Sequence, residues 1–172
     1  LHSPFAGIAE ALNLIIASFA RHAPADTRLV IKEHPLDNGV RDWEQTAHDL
    51  GERYGVAARI DYLAAGDIVA IARGARGMVT INSTSGTFAL AMGVPVVALG
   101  HAVYDIPDLT AQGGLDAFWQ NPVPPDPETF AAFRRVLIER CLIPGGFFSK
   151  EALDKVVRHA IARFEGMPLP PE

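Results

Sequence analysis

The chain has 172 residues, of which 49 % are hydrophobic and 20 % charged, and its formal net charge is −5. This composition is typical of a folded globular domain and excludes a disordered chain. An acidic chain has no overall attraction for nucleic acid, so we expect no nucleic-acid partner.

Helix and strand patterns alternate from the beginning of the chain. Ser3-Pro4 predicts the start of a helix that ends before Pro24. Leu29–Ile31 predicts a strand that is buried on both faces. The next predicted elements are a helix over 42–54, a strand over 59–63, a helix over 67–73, a strand over 77–81, a helix over 85–92 and a strand over 95–99. This alternation predicts an α/β fold, a Rossmann-like doubly wound parallel sheet.

The order changes after Gly100, where helices are predicted over 115–119, 127–140 and 149–164. We expect residues 1–166 to form one domain and residues 167–172 to be a tail or linker. The chain opens without Met, so we also expect it to be a piece of a longer protein.

Lys32 and His34 directly follow the first predicted strand. Ligands of open α/β sheets lie at the carboxyl ends of strands, so both side chains are candidates for holding a phosphate or a base. Pro35 restricts His34 to an extended conformation and thereby aims its ring. The alternative is a solvated loop in which Lys32 forms an ion pair with Glu33.

A cluster of small polar residues joins the strand over 77–81 to its following helix. Free backbone N–H groups at a helix start, together with several hydroxyls, form a candidate phosphate site. Gly86 would let a ligand approach the backbone. The alternative is ordinary helix capping. The segment is neither a P-loop nor a G-x-G-x-x-G fingerprint, so the motifs for ATP and NAD are absent. The members of the cluster are Asn82, Ser83, Thr84, Ser85 and Gly86.

A third candidate group follows the strand over 95–99. Tyr104 could stack on a base or a sugar, and His101 or Asp105 could bind hydroxyls. The alternative, which we favour slightly, is a structural loop with Tyr104 as a lid over the core.

The remaining distinctive side chains predict structure more than chemistry. Phe118 and Trp119 are expected to be packing anchors, and Cys141 a buried small apolar side chain. No pair of His, Cys or carboxylate residues has the spacing of a metal site, so no metal is expected. The histidines expected at the surface are His2, His22, His48 and His159.

These segments, taken in order, resemble the capsule polysaccharide biosynthesis and export family, which includes β-Kdo transferases that act on CMP-Kdo. The resemblance runs from about Leu29 to Phe148, and the Pro107-Asp108 dipeptide departs from it where we would expect a Gly. The segments that carry it best are Leu29–Asp37, Val79–Gly86, Gly93–Val96 and Leu99–Ile106.

The resemblance implies a GT-B glycosyltransferase, in which two Rossmann-like halves face each other, and this chain resembles the C-terminal, nucleotide-binding half. By the family's motifs, His34 and Pro35 contact CMP with Lys32 nearby, and the segment Asn82–Gly86 binds the CMP phosphate. The implied reaction transfers Kdo from CMP-Kdo to a capsule polysaccharide or its lipid-linked primer. The catalytic acidic residue is expected in the N-terminal half, so none is assigned here.

The implied partners are a CMP-sugar donor, the N-terminal GT-B half, and a polysaccharide or glycolipid acceptor. No cofactor or divalent metal is required, because a CMP-sugar carries a single-phosphate leaving group. The single cysteine suits a reducing compartment, so a cytoplasmic location is expected, and the resemblance leaves room for peripheral association with the inner membrane.

Other functions remain open on the sequence. One is a GT-B-like enzyme that uses a UDP- or GDP-sugar, although the helix over 85–92 runs on to Pro95 without the acidic residue that such enzymes often place for the ribose. Another is a non-catalytic module in capsule export or assembly, and the least specific is a Rossmann-like domain with an unknown ligand.

Overall fold

A computed structural model describes residues 3–143 and 145–168, and the chain divides into two compact units, one up to Phe130 and a second from Ala131. The helices are α1 (Ile8–His22), α2 (Trp43–Arg53), α3 (Ile68–Arg73), α4 (Ser85–Ala91), α5 (Gly114–Gln120), α6 (Pro127–Arg140) and α7 (Lys150–Glu165). The strands are β1 (Leu29–Lys32), β2 (Ile60–Leu63), β3 (Met78–Thr80) and β4 (Val96–Ala98).

The strands of the first unit pair in parallel. In the β1–β2 pair, Leu29 lies opposite Ile60, and in the β3–β4 pair, Met78 lies opposite Val96. The α/β class and the parallel pairing are therefore confirmed. Over the residues that the structure describes, these are two separate two-stranded sheets, and their union into one doubly wound sheet stays a prediction.

The predicted start of α1 at Ser3-Pro4 is wrong. The Ser3 hydroxyl accepts a hydrogen bond from Phe5 N–H, so it closes a local turn instead of capping a helix. The helix begins at Ile8 after an extended Gly7, and the Glu10 carboxylate reaches back to Ala6 N–H at 2.7 Å. A carboxylate in the first turn takes the place of the predicted cap.

The main core of the first unit lies between α1, α2 and the β1–β2 pair. Its buried members include Ile16, Phe19, Leu29 and Leu50. Val30 is 43 % exposed, so the prediction that β1 is buried on both faces is wrong, and only one face of the strand enters this core. The opposite face stays open.

A second apolar cluster joins α5 to β4 through Val97, Leu115 and Phe118. Trp119 packs edge-on against Phe19, with ring centroids 5.4 Å apart, and its indole N–H donates to the Ser18 hydroxyl at 2.8 Å. The expected role of Phe118 and Trp119 as packing anchors is confirmed.

The second unit contains most of α6, from Ala131 onward, and all of α7. Ser149 caps α7 by accepting from Ala152 N–H. The Arg163 guanidinium donates to four backbone carbonyls at the end of α6, which have no helical partners of their own. These carbonyls belong to Ile138, Glu139, Arg140 and Leu142.

Two expectations about single side chains in this unit are wrong. His159 is buried, and its Nδ1 lies 2.9 Å from the Lys155 carbonyl. Cys141 is exposed, because it follows the end of α6 and does not lie on a packed helix face. Of the predicted tail, Met167 and Pro168 continue the chain after α7, and residues 169–172 lie outside the described residues, as does His2. Within 3–143 and 145–168, no helix has the length and apolarity needed to cross a membrane.

Candidate functional site

Lys32 ends β1, and its ammonium is held by main-chain oxygens. Nζ donates to the Glu33 carbonyl at 2.7 Å and to the Ala64 carbonyl at 3.3 Å. The alternative of an ion pair with Glu33 is wrong, because the Glu33 carboxylate accepts from the Tyr62 hydroxyl at 2.6 Å instead. Lys32 thus presents a fixed positive charge at the carboxyl end of a parallel strand.

His34 is exposed on the loop after β1, and its imidazole has a defined orientation. Nδ1 accepts from Leu36 N–H at 3.1 Å, and the His34 carbonyl accepts from Asp37 N–H at 2.9 Å. With Nδ1 acting as an acceptor, the neutral ring carries its proton on Nε2. Nε2–H is therefore available as a donor to a ligand beside the exposed Pro35.

The polar segment after β3 is organised by hydroxyls that bond to one another. The Thr80 hydroxyl accepts from Ser83 N–H at 3.2 Å, and Ser83 Oγ accepts from Ser85 N–H at 3.2 Å. The two serine hydroxyls lie 2.7 Å apart. Thr84 occupies the N-cap position of α4 without a side-chain capping bond. Thr84 already has helical dihedral angles, so the bond from Ser85 N–H to Ser83 Oγ is an ordinary helix cap, and the capping alternative is confirmed for Ser83. Asn82, Ser83 and Thr84 are all exposed.

Tyr104 fixes the shape of the polar segment after β3. Its side chain is 1 % exposed, and its hydroxyl donates to the Ser83 carbonyl at 2.5 Å. A Cβ built on Gly86 would lie 2.6 Å from the Tyr104 Cζ atom. Gly86 is therefore required by the tyrosine ring, which occupies the side where we had expected a ligand. Burial raises the pKa of Tyr104, so the phenol stays a donor at neutral pH.

The Tyr104 ring is not open to stack on a base or a sugar in this arrangement, and it acts as the structural lid that the sequence favoured. His101 and Asp105 are exposed on the same loop after β4. The Asp105 carboxylate accepts from the Thr110 hydroxyl at 2.7 Å, which ties it to the start of the next segment. The structure therefore leaves the exposed His101 and Asp105 as the candidates of this third group that a ligand could reach.

The structure shows how the chain accommodates Pro107-Asp108, where the family resemblance leads us to expect a Gly. Asp108 adopts φ of 67°, the left-handed conformation that favours Gly. Its carbonyl accepts from Asp126 N–H at 2.8 Å, which holds the turn in place. The loop therefore keeps the backbone shape of a glycine with an aspartate at that position.

The candidate residues form two groups at the carboxyl ends of two sheets. Lys32 and His34 lie at the end of the β1–β2 pair, and Asn82–Gly86 lie with Tyr104 at the end of the β3–β4 pair. The sequence pattern did not single out Tyr62, whose hydroxyl binds the Glu33 carboxylate beside Lys32 and His34. Its position at the end of the predicted strand over 59–63 could have indicated it, since the carboxyl ends of parallel neighbouring strands share one edge of the sheet.

Metal-binding geometry is absent over the described part of the chain. No three His, Cys, Asp or Glu side chains among residues 3–143 and 145–168 are placed to hold an ion. Among the candidate residues, the Lys32 ammonium, the His34 imidazole and the serine hydroxyls are groups that can bind an anion such as a phosphate.

The known proteins that this chain resembles are named as capsule polysaccharide proteins. LipB of Neisseria meningitidis, named as a capsule polysaccharide modification protein, is 40 % identical to this chain over 151 residues, both in serogroup A and in serogroup B. The match covers 87 % of this chain and 36 % of each relative. KpsS of Escherichia coli, named as a capsule polysaccharide export protein, is 37 % identical over 147 residues, covering 86 % of this chain and 38 % of the relative. The chain thus spans little more than a third of these relatives. No solved structure matches it significantly.

The sequence profile of one protein family matches residues 1–148, which include both groups of candidate residues. That family is described as "Capsule polysaccharide biosynthesis protein". With most of its length matched, the chain belongs to the capsule polysaccharide biosynthesis protein family.

Proposed function

We propose that this chain is the donor-binding part of a sugar transferase that works in capsule polysaccharide assembly, with CMP-Kdo as the donor. The observation that carries the proposal is the presence of two polar loops, each directly after a parallel strand, that expose groups suited to a phosphate. Membership in the capsule family supports the biological role. The proposal includes that the two sheets belong to one doubly wound sheet and that this chain pairs with a second half in a GT-B enzyme.

The first loop supplies charge and a directed donor. The Lys32 ammonium would attract the phosphate, and His34 Nε2–H would donate to CMP, because Nδ1 is engaged with Leu36 N–H. Hydrogen bonds within the loop hold both groups in place, so little conformational entropy would be lost on binding.

The second loop supplies the hydroxyls of Ser83 and Ser85. The backbone N–H groups of residues 83 and 85–87 already donate within the loop, so the sequence expectation of free N–H groups is wrong for them. As the bond between Kdo and the phosphate breaks, negative charge grows on the departing CMP. Donors fixed near that charge stabilise the transition state more than the ground state. In this proposal the chain holds the leaving group, and the acid-base chemistry and the acceptor site reside in the other half.

The test is calorimetric titration of this chain with CMP, with UDP and GDP as competitors in the same buffer. We expect CMP to bind preferentially, and we expect Ser83→Ala/Ser85→Ala to weaken that binding at least tenfold by removing the paired hydroxyls of this loop. Thr46→Ala is the matched control, because the Thr46 hydroxyl donates to the carbonyl of Asp42, the residue that caps α2, away from both loops. Preferential binding of UDP or GDP would contradict CMP-Kdo as the donor.

The printed name of the Escherichia coli relative favours a second candidate, a non-catalytic module in polysaccharide export. Absence of binding by all three nucleotides would favour this candidate over the transferase. In either case we propose a cytoplasmic location, because the only cysteine, Cys141, is exposed and unpaired and therefore suits a reducing compartment.

A further inference from the structure

We propose that Tyr62 is a positioning residue for the nucleotide site, because it holds the Glu33 carboxylate and so fixes the chain from which Lys32 and His34 project. The inference rests on the proposed function, since it gives the first loop its role in binding the donor. It extends that function to a residue on β2 that touches no expected ligand.

Glu33 is fixed through all three of its polar groups, two of them by residues at the end of β2 and one by the preceding residue, Lys32. Its N–H donates to the Leu63 carbonyl at 3.0 Å, and its carbonyl accepts from the Lys32 ammonium at 2.7 Å. Its carboxylate accepts from the Tyr62 hydroxyl at 2.6 Å. Only the last of these bonds uses a side chain that can be changed without altering Glu33 or Lys32.

The alternation of side chains along β1 explains why this arrangement leaves the other face free. In an extended chain, Ile31 and Glu33 point to one side, and Lys32 and His34 to the other. Ile31 and Tyr62 are register partners and both pack against the main core. Glu33 is therefore held on the core side, while Lys32 and His34 project from the open side.

The far end of the loop is tied to the same core. The Asp37 carboxylate accepts from the Trp43 indole N–H at 3.1 Å, and Trp43 packs against the main core. His34 thus lies between two attachments, one at Tyr62 and one at Trp43. Loss of the first attachment would free the Glu33 side chain and leave Glu33 held only through its backbone, by the Leu63 carbonyl and the Lys32 ammonium.

The Tyr62 hydroxyl is a dependable donor. Burial, followed by its hydrogen bond to Glu33, raises the pKa of Tyr62 far above neutral pH. The phenol therefore remains protonated throughout the pH range in which binding would be measured.

The experiment compares Tyr62→Phe with Tyr54→Phe in the full chain. Tyr54 is the matched control because it packs against the same core and its hydroxyl donates to Asn13 Oδ1 at 2.9 Å, on α1. We expect Tyr62→Phe to weaken CMP binding about tenfold, since the bond that it removes is to a charged acceptor. We expect Tyr54→Phe to change the Kd less than about twofold, because its bond is remote from the loop.

A second pair of variants separates positioning from general stability. Glu33→Gln keeps an oxygen that accepts from Tyr62, so we expect it to retain most of the affinity, whereas Glu33→Leu removes the acceptor and should match Tyr62→Phe. Tyr62→Phe added to Glu33→Leu should weaken binding no further, since both changes break one bond. All titrations are made at a temperature where each variant is fully folded by circular dichroism.

A readout without nucleotide separates this inference from the proposed function. The chain has six histidines, and the imidazole C–H signals of His34 are assigned by NMR with His34→Gln. We expect Tyr62→Phe to shift or broaden them and Tyr54→Phe to leave them unchanged. Failure of the unaltered chain to bind CMP overturns the proposed function, while the NMR comparison still decides the positioning role. His34 signals that are unchanged in Tyr62→Phe, or changed equally in Tyr54→Phe, overturn the positioning role.

Discussion

At the residue scale, the contact between Gly86 and Tyr104 fixes the conformation of the polar loop after β3. The glycine gives the ring space, and the ring's hydroxyl bonds to the Ser83 carbonyl at 2.5 Å. The sequence pattern assigned Gly86 to a ligand and favoured a structural lid role for Tyr104. The structure assigns them to each other, because a buried phenol needs a hydrogen-bond partner and finds one in the loop backbone.

Gly86→Ala should therefore destabilise the protein by about 1–3 kcal/mol, the usual effect of adding a methyl group to a packed site. The added Cβ would lie 2.5 Å from the Tyr104 hydroxyl oxygen, and the buried ring has little room to withdraw. Urea unfolding measures the change. Gly113→Ala is the control, because its Cβ would meet its nearest neighbour, Ala117, at an ordinary 3.5 Å. Equal losses in the two variants would contradict this account.

Partners of individual side chains were the least predictable feature of the sequence. Lys32 and Glu33 are neighbours of opposite charge, yet they do not form an ion pair because strand alternation separates their side chains. His159 was expected at the surface and is buried, and Cys141 was expected inside and is exposed. Each outcome depends on residues distant in the chain or on where a helix ends.

At the element scale, the register of β1 and β2 places opposite charges beside each other. The Arg28 guanidinium donates to both oxygens of Asp61 at 2.7 Å, just before β1 begins. The hydrogen bond from Arg28 lowers the pKa of Asp61. Because the pair is substantially exposed, its stabilising effect should be small.

The lowered pKa of Asp61 gives the pair a defined pH dependence. A depressed folded-state pKa contributes stability above the unfolded value of about 3.9, and this contribution is lost as the pH falls further. Asp61→Asn should therefore be less stable than the unaltered chain at pH 7, with the difference shrinking below about pH 4. Urea unfolding at both pH values is the measurement. Asp26→Asn, at an exposed carboxylate outside the pair, should show no such trend.

Helix starts were predictable where the capping side chain lies next to the helix. Asp42, Asp67 and Ser149 each accept a backbone N–H within the first turn of α2, α3 and α7. Ser3 has the same chemistry, but α1 begins only after Gly7. A serine thus marks a helix start only when its hydroxyl is not already engaged in a local turn, as that of Ser3 is.

At the scale of the whole molecule, the second unit exposes an apolar stripe along α7. Its members recur at helical spacing on one face, and Phe164 is 91 % exposed. Contiguous apolar surface of this kind favours association in water. The stripe consists of Leu153, Val157, Ile161 and Phe164.

The chain should therefore associate reversibly as its concentration rises, and Val157→Glu should reduce that association by placing a charge in the stripe. Sedimentation velocity over a range of concentrations measures the effect. Arg158→Gln changes the net charge by the same amount at an exposed position outside the stripe and should leave association unchanged. A chain that remains monomeric at every concentration would show that the stripe does not drive self-association.

The sequence by itself determined the α/β class, the order of helices and strands, and the family, because periodicity, capping residues and short motifs are local features of the chain. It also identified Lys32, His34 and the segment Asn82–Gly86 as candidates, since each follows a predicted strand. Only the tertiary structure decided that Tyr62 holds Glu33 and that Tyr104 requires Gly86. These contacts join residues on different strands and loops, and their distances follow from register and packing, which no local pattern records.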